Sequence, residues 1–246
     1  MVLISRSGGP LREAARMAEE RGCGAVTTRC HEMDLSDLDA VPDEFRSVLE
    51  SSSGADARYD SCLLVNNAGS LGPVGLAPSI SSFDEMNNNM QELRRAVDLN
   101  FTSSIWISAA FTNTFLPSSS KICASMTAQL PLVRVINISS LCALVPFPTM
   151  SIYCATKAGR DMFHGVLGKE QKQNFKALNY APGLCDTQMS QYLANCSVLD
   201  NELHEYYVTS KGEDKWIQPE ETAKKLVRII TMDEYESGSH VDYWDV

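Results

Sequence analysis

Basic residues are scarce in this chain: 21 Lys and Arg stand against 31 Asp and Glu in 246 residues, a net charge of −10. A surface that is negative on average repels phosphate backbones and anionic lipid, so nucleic acid and membrane surfaces are excluded as main partners. Long apolar runs are missing too. The longest charge-free stretch, 99–120, is interrupted by Asn100, Thr102, Ser103, Ser104, Asn113 and Pro117, whereas a bilayer span needs about 20 apolar residues. The opening MVLISRSGG has neither the apolar core nor the cleavage site of a secretory signal, so a cytoplasmic protein with reduced thiols is expected. None of the eight cysteines forms a Cys-x-x-Cys pair and the four histidines lack ligand spacing, which argues against a metal site.

What remains is ordinary globular composition, 44% hydrophobic and 21% charged, enough for one large domain spanning 1–246. Apolar β-branched runs alternate with longer amphipathic segments. Strands are expected at 2–5, 25–30, 62–65, 133–138, 176–179 and 240–243, and helices at 10–21, 43–50, 83–115 with a break near Asp98, 152–170 and 219–231. That order specifies an α/β fold, a doubly wound parallel sheet of Rossmann type in three layers. The Ser-rich stretch 117–131 is expected as a surface insertion, and 186–217, without clear periodicity, as a lid. In such sheets ligands bind beyond the carboxyl ends of the strands, which nominates the residues just after each one.

Tyr153 and Lys157 lie four apart on an expected helix and so share a face, one turn apart. An ammonium about 4 Å from a phenol interacts by roughly 4 kcal/mol at an effective dielectric of 20, which is expected to lower the tyrosine pKa toward neutrality. Ser140 closes the strand thirteen residues earlier, where its hydroxyl can polarise a carbonyl. Taken alone, a Tyr-x-x-x-Lys pair is more often a solvated helix face.

The pair is not alone. Asn66-Asn67-Ala68-Gly69, Asn100, Asn137-Ile138-Ser139-Ser140, Tyr153-Cys154-Ala155-Thr156-Lys157 and Pro182-Gly183-Leu184-Cys185-Asp186-Thr187 follow one another in an order and spacing that resembles the short-chain dehydrogenase/reductase family. The resemblance runs from about Val2 to the C-terminus and is weakest over 117–129 and 191–216. It implies an NADPH-dependent carbonyl reductase in which Tyr153 is the general acid, Lys157 binds the nicotinamide ribose, Ser140 polarises the ketone and Asn100 holds a relay water. Arg6 would pair with the 2′-phosphate and Asp34 with the adenine amino group, although Asp34 before a helix reads equally well as a cap. Asn67, Ala68 and Gly69 would admit the cofactor, and Pro182, Gly183, Leu184 and Thr187 would line the carboxamide. Asp242 matches an aspartate that, in one member of the family, grips the guanidine-like edge of a pterin. The implied substrate is thus the side-chain ketone of a 6-substituted pterin, as in tetrahydrobiopterin synthesis, and the implied assembly is a homodimer through the helices 100–115 and 152–168.

One departure stands out. No TGxxxGxG-type turn matches, and the chain opens at what should be the second strand, so about one βα unit of the usual fold is expected to be absent. Two alternatives follow: a broader carbonyl reductase acting on quinones or small diketones, and a silent binding or dimerisation module.

Overall fold

The computed structural model describes residues 1–53, 59–81, 86–116, 131–171 and 173–245. The expected insertion 117–131 lies outside the described residues except for Pro131, as does the start of the expected helix 83–115. The chain divides into two compact units, Met1–Ala57 and Arg58–Val246.

In the first unit β1 (Val2–Ser5), α1 (Gly8–Arg21), β2 (Arg29–Glu32) and α2 (Val41–Ser52) follow one another, with β1 and β2 parallel. The second strand starts later than the expected 25–30. Cys23 and Gly24 take positive φ values of 47° and 83°, and Ala25 N–H donates to Gly22 O, so a turn consumes the residues that looked extended. In α2 the buried Val41, Phe45, Val48 and Leu49 recur at three- and four-residue intervals, the stripe of a helix with one apolar face.

The second unit contains β3 (Ser61–Asn66), α3 (Met86–Val97), α4 (Ser103–Phe115), β4 (Leu132–Ile138), α5 (Ser151–Glu170), β5 (Phe175–Ala181), α6 (Gln188–Leu193), α7 (Asn201–Gly212), α8 (Pro219–Met232) and β6 (Ser239–Asp242). Its strands pair in the order β3-β4-β5-β6, all parallel. The expected Rossmann-like α/β arrangement is what the chain adopts. Successive side chains of a strand point to opposite faces, and here the two faces differ in kind. Ile136, Leu178, Tyr180 and Val241 pack against Leu226, Ile229 and Ile230 of α8. Asn137 and Asn179, on the other face, hydrogen-bond to Asp161 of α5.

One of these expectations needs correction, and another, the break near Asp98, holds. The segment 186–217 is not an irregular lid: it holds α6 and α7. Neither has a strong apolar stripe, but each has a cap, Thr187 accepting from Ser190 N–H and Asp200 accepting from Glu202 and Leu203 N–H, and these were the legible signals. The break near Asp98 is a π-type turn, Asp98–Thr102, which inserts one extra residue into the α3–α4 path and swings Asn100 inward.

The end of α5 meets the turn before β6 backbone to backbone. A Cβ on Gly168 would lie 2.6 Å from Gly238 N, and one on Gly238, whose φ is +87°, 2.8 Å from Gly165 O. Among the described residues no helix is long and apolar enough to cross a membrane.

Candidate active site

Helix α5 delivers Tyr153 and Lys157 to the carboxyl end of β4, where Ser140 follows the strand. The Ser140 hydroxyl lies near enough to the Tyr153 phenol to act on its ionisation and accepts from Cys142 N–H at 3.2 Å. Lys157 Nζ donates to Ile138 O at 2.7 Å and sits 5.4 Å from the Tyr153 ring centroid. The three side chains nominated from sequence therefore meet in one place. Asn100, fully buried, accepts from Ser70 N–H at 2.8 Å, donates to Ser70 O at 2.7 Å and reaches Thr156 Oγ1 at 3.3 Å. It ties the loop after β3 to the turn of α5 between Tyr153 and Lys157.

Electrostatics at the pair differs from the expectation. Burial raises the Tyr153 phenol above the ordinary tyrosine value, with Cys142 adding to the rise and Arg160 and Ser140 opposing it. Burial also lowers Lys157 to about 7; Arg160 pushes it down further, while Asp161 and Cys142 push it up. The predicted lowering of the phenol fails because both groups are desolvated and the ammonium lies over the ring face with its proton aimed at Ile138 O. Beside them the Cys142 thiol draws the Cys154 thiol below the ordinary cysteine value.

The chain matches the short chain dehydrogenase family model over residues 1–196. It belongs to that family. It is similar to sepiapterin reductase of Xenopus tropicalis, at 31% identity over 248 residues covering 100% of this chain and 85% of the relative. Against sepiapterin reductase of Rattus norvegicus it is 36% identical over 192 residues, 77% of this chain and 65% of that protein. A benzil reductase ((S)-benzoin forming) of Bacillus subtilis is 33% identical over 173 residues, 69% of this chain and 63% of the relative. Among solved structures, the KRED1-Pglu enzyme superposes with a TM-score of 0.72 at 20% identity over 98% of this chain and 88% of that one. An actinorhodin polyketide ketoreductase solved with NADPH does so at 0.70 and 18% identity, covering 98% and 85%. As a short-chain dehydrogenase the protein is an oxidoreductase.

The remaining nominated residues fall around this centre or in the first unit. Asn67 and Ala68 are exposed after β3, followed by half-buried Gly69. Gly183 takes φ +76°, and a Cβ there would strike Ile217 at 2.5 Å, so the turn after β5 needs glycine. Half-buried Pro182 and Leu184 flank it, and Leu184 O accepts from Ile217 N–H at 2.8 Å. Thr187 is the cap of α6. Asp242 ends β6 opposite Ala181, and its Oδ1 accepts from Trp244 N–H at 3.0 Å. In the first unit Arg6 is exposed after β1, and Asp34 Oδ1 accepts from the N–H and hydroxyl of Ser36 in the turn after β2; it is not the helix cap of its other reading, since the residue before α2 is Ala40. Among the described residues no group of three His, Cys, Asp or Glu is placed to hold a metal.

Arg160 was missed. Fully buried one turn beyond Lys157, it donates to Ala68 O at 3.0 Å, Asn66 O at 2.8 Å and Asn137 Oδ1 at 2.7 Å, and so shapes the loop that ends β3. The only signal was an arginine three positions after the lysine on a helix whose face was already assigned to the interior.

Proposed function

We propose that the chain reduces the side-chain ketone of a 6-substituted pterin, a step of tetrahydrobiopterin synthesis, with NADPH as reductant. The meeting of Ser140, Tyr153 and Lys157 beyond β4, with Asp242 two strands away at the end of β6, carries the reading. The residues fit the nicotinamide riboside end of NADPH. An ammonium has three N–H donors, and Ile138 O is the acceptor found for Lys157 among the described residues, leaving two for a ribose diol. Exposed Asn67 and Ala68 leave backbone accessible beside it, and Arg6 and Asp34 are the candidates for the 2′-phosphate and adenine.

NADPH supplies the hydride. Ser140 and Tyr153 both donate to the ketone oxygen, and Tyr153 gives up its proton as negative charge develops there. The Lys157 ammonium stabilises the phenolate that remains. Asn100 holds Ser70 and α5 at a fixed separation and supports a relay of protons back to the lysine. The Asp242 carboxylate accepts two hydrogen bonds from the 2-amino and ring N–H groups of the pterin. The similarity to frog and rat sepiapterin reductases supports this substrate. The similarity to the Bacillus subtilis benzil reductase favours a second reading, a reductase of diketones without a pterin preference. We place the enzyme in the cytoplasm as a homodimer through α4 and α5, whose exposed Trp106, Met162 and Val166 offer apolar contact area.

The test follows NADPH oxidation with sepiapterin and with benzil. Saturable turnover of the pterin is expected, with KM raised in Asp242→Ala for the pterin alone. An unchanged pterin KM in that variant passes the function to the second reading, and no NADPH oxidation with either ketone removes both.

A further inference from the structure

Four polar residues stand side by side across the sheet on the face that α5 covers. The register pairs Asn66 with Asn137, Asn137 with Asn179 and Asn179 with His240, one from each of β3, β4, β5 and β6. A parallel sheet buried on both faces normally carries apolar residues at such positions. Asn66 Nδ2 donates to Ser108 Oγ of α4 and Asn137 Nδ2 to Asn179 Oδ1, while one turn of α5 supplies further partners. Arg160 takes Asn137 Oδ1 and the carbonyl of Asn66.

Asp161 joins three of the four, Asn137, Asn179 and His240. Its Oδ1 accepts from Asn137 Nδ2 at 2.9 Å and Ser139 Oγ at 2.6 Å, its Oδ2 lies 2.5 Å from His240 Nδ1, and its backbone oxygen accepts from Asn179 Nδ2 at 3.1 Å. Asp161 and His240 keep 10% and 15% of their side-chain surface, so the contact is largely out of water. His240 Nε2 is buried without a hydrogen-bond partner among the described residues, which leaves Asp161 as the anchor of that ring.

The connections lead to the reacting groups. Ser139 immediately precedes Ser140. His240 and Asp242 are two apart on β6 and share a face. Lys157 lies one turn before Asp161 on α5, close enough for the carboxylate to act on its charge. The geometry points to Asp161 as a positioning residue of the reduction, acting through Ser139 on Ser140, through His240 on Asp242, and by its charge on the Lys157 ammonium. Packing alone does not call for this arrangement, since apolar side chains replace a buried ion pair at little or no cost to stability.

Lys157 also faces Arg160 on its own helix, Tyr153 one turn before, and Cys142 from the turn after β4; Asp161 faces Arg160 and His240, and acts on His164 one turn further along α5. Asp161 and Cys142 are the groups that favour the ammonium, so loss of the Asp161 charge moves Lys157 titration to lower pH.

The inference rests on the proposed function for its kinetic part only. Asp161→Asn, nearly isosteric, is expected to lower kcat/KM for the ketone by roughly tenfold to a hundredfold, the cost of a small misplacement of reacting groups. Because the active lysine is the ammonium, the basic limb of its pH profile moves to lower pH. His240→Gln is expected to raise KM for the pterin several-fold with kcat little changed. In protein carrying 13Cε-lysine, the signal absent from Lys157→Arg titrates near pH 7 in the parent and lower in Asp161→Asn. A folded Asp161→Asn with parental kinetics and parental Lys157 titration overturns the inference. Should that variant not fold, His240→Gln decides, and a parental KM for the pterin overturns it. A parent that reduces no ketone removes the functional reading, and the lysine titration then decides on Asp161 by itself.

Discussion

In Met1–Ala57 Arg16 binds Glu13 and Glu20 with 57% of its side chain in water, and Arg12 meets Glu32 with 70% exposed. In Arg58–Val246 Arg160 is fully buried, as is His164, and Lys157 is 4% exposed. The first kind of pair breaks into water at little cost, because hydration replaces the partner. The second has no water to fall back on, so each donor holds a backbone carbonyl or an amide of the sheet that would otherwise be orphaned. These charges of the first unit dress a surface; the buried ones of the second set loop shape and the ionisation of neighbours. The difference sets the proposed reaction site apart without reference to any motif.

Four substitutions or conditions break or sharpen that contrast. The largest expected effect is on rate. Tyr153→Phe removes a proton donor while keeping the ring that packs with Met150, Leu193 and Leu199, so ketone turnover falls by about a hundredfold to ten-thousandfold with an unchanged circular dichroism spectrum. Next is the stability of the buried network. Arg160→Met leaves Asn66 O, Ala68 O and Asn137 Oδ1 without their donor and costs about 3–5 kcal/mol in urea unfolding.

Third is acid. Burial lowers His164 from 6.5 to about 4, its ring held between Ser108 Oγ and Arg160 O. The unfolded chain then binds the proton more readily than the folded one. Stability is full above about pH 6.5 and is lost as pH falls toward 4, and His164→Gln flattens that slope in melts taken across the range. The smallest effect belongs to the surface: Arg16→Ala leaves the urea midpoint unchanged, although it breaks two ion pairs at once.

The sequence carried the parts of this picture that depend on local spacing. Tyr153 and Lys157 share a face because they are four apart on a helix, and Ser140 and Pro182 end up at strand ends because apolar runs stop there. Asn100 was legible through the family resemblance, although the π-type turn that aims it was not. What stayed hidden depends on register and burial. Asp161 and His240 are 79 positions apart and meet only because β6 aligns with β5. The direction in which Tyr153 shifts followed from how much water reaches it, which spacing does not report. Helices α6 and α7 were overlooked because their capping residues, not an apolar stripe, announce them.

Gly165, Gly168 and Gly238 let the far end of α5 touch the approach to β6 with no side chain between. Two stretches of main chain in direct contact have nothing soft to compress, so a tilt of the helix is handed on undamped. The proposed proton donor at one end of α5 and the carboxylate at the tip of β6 are thereby parts of one lever, and an added methyl group at that fulcrum would move both ends of the proposed site from a place neither of them touches.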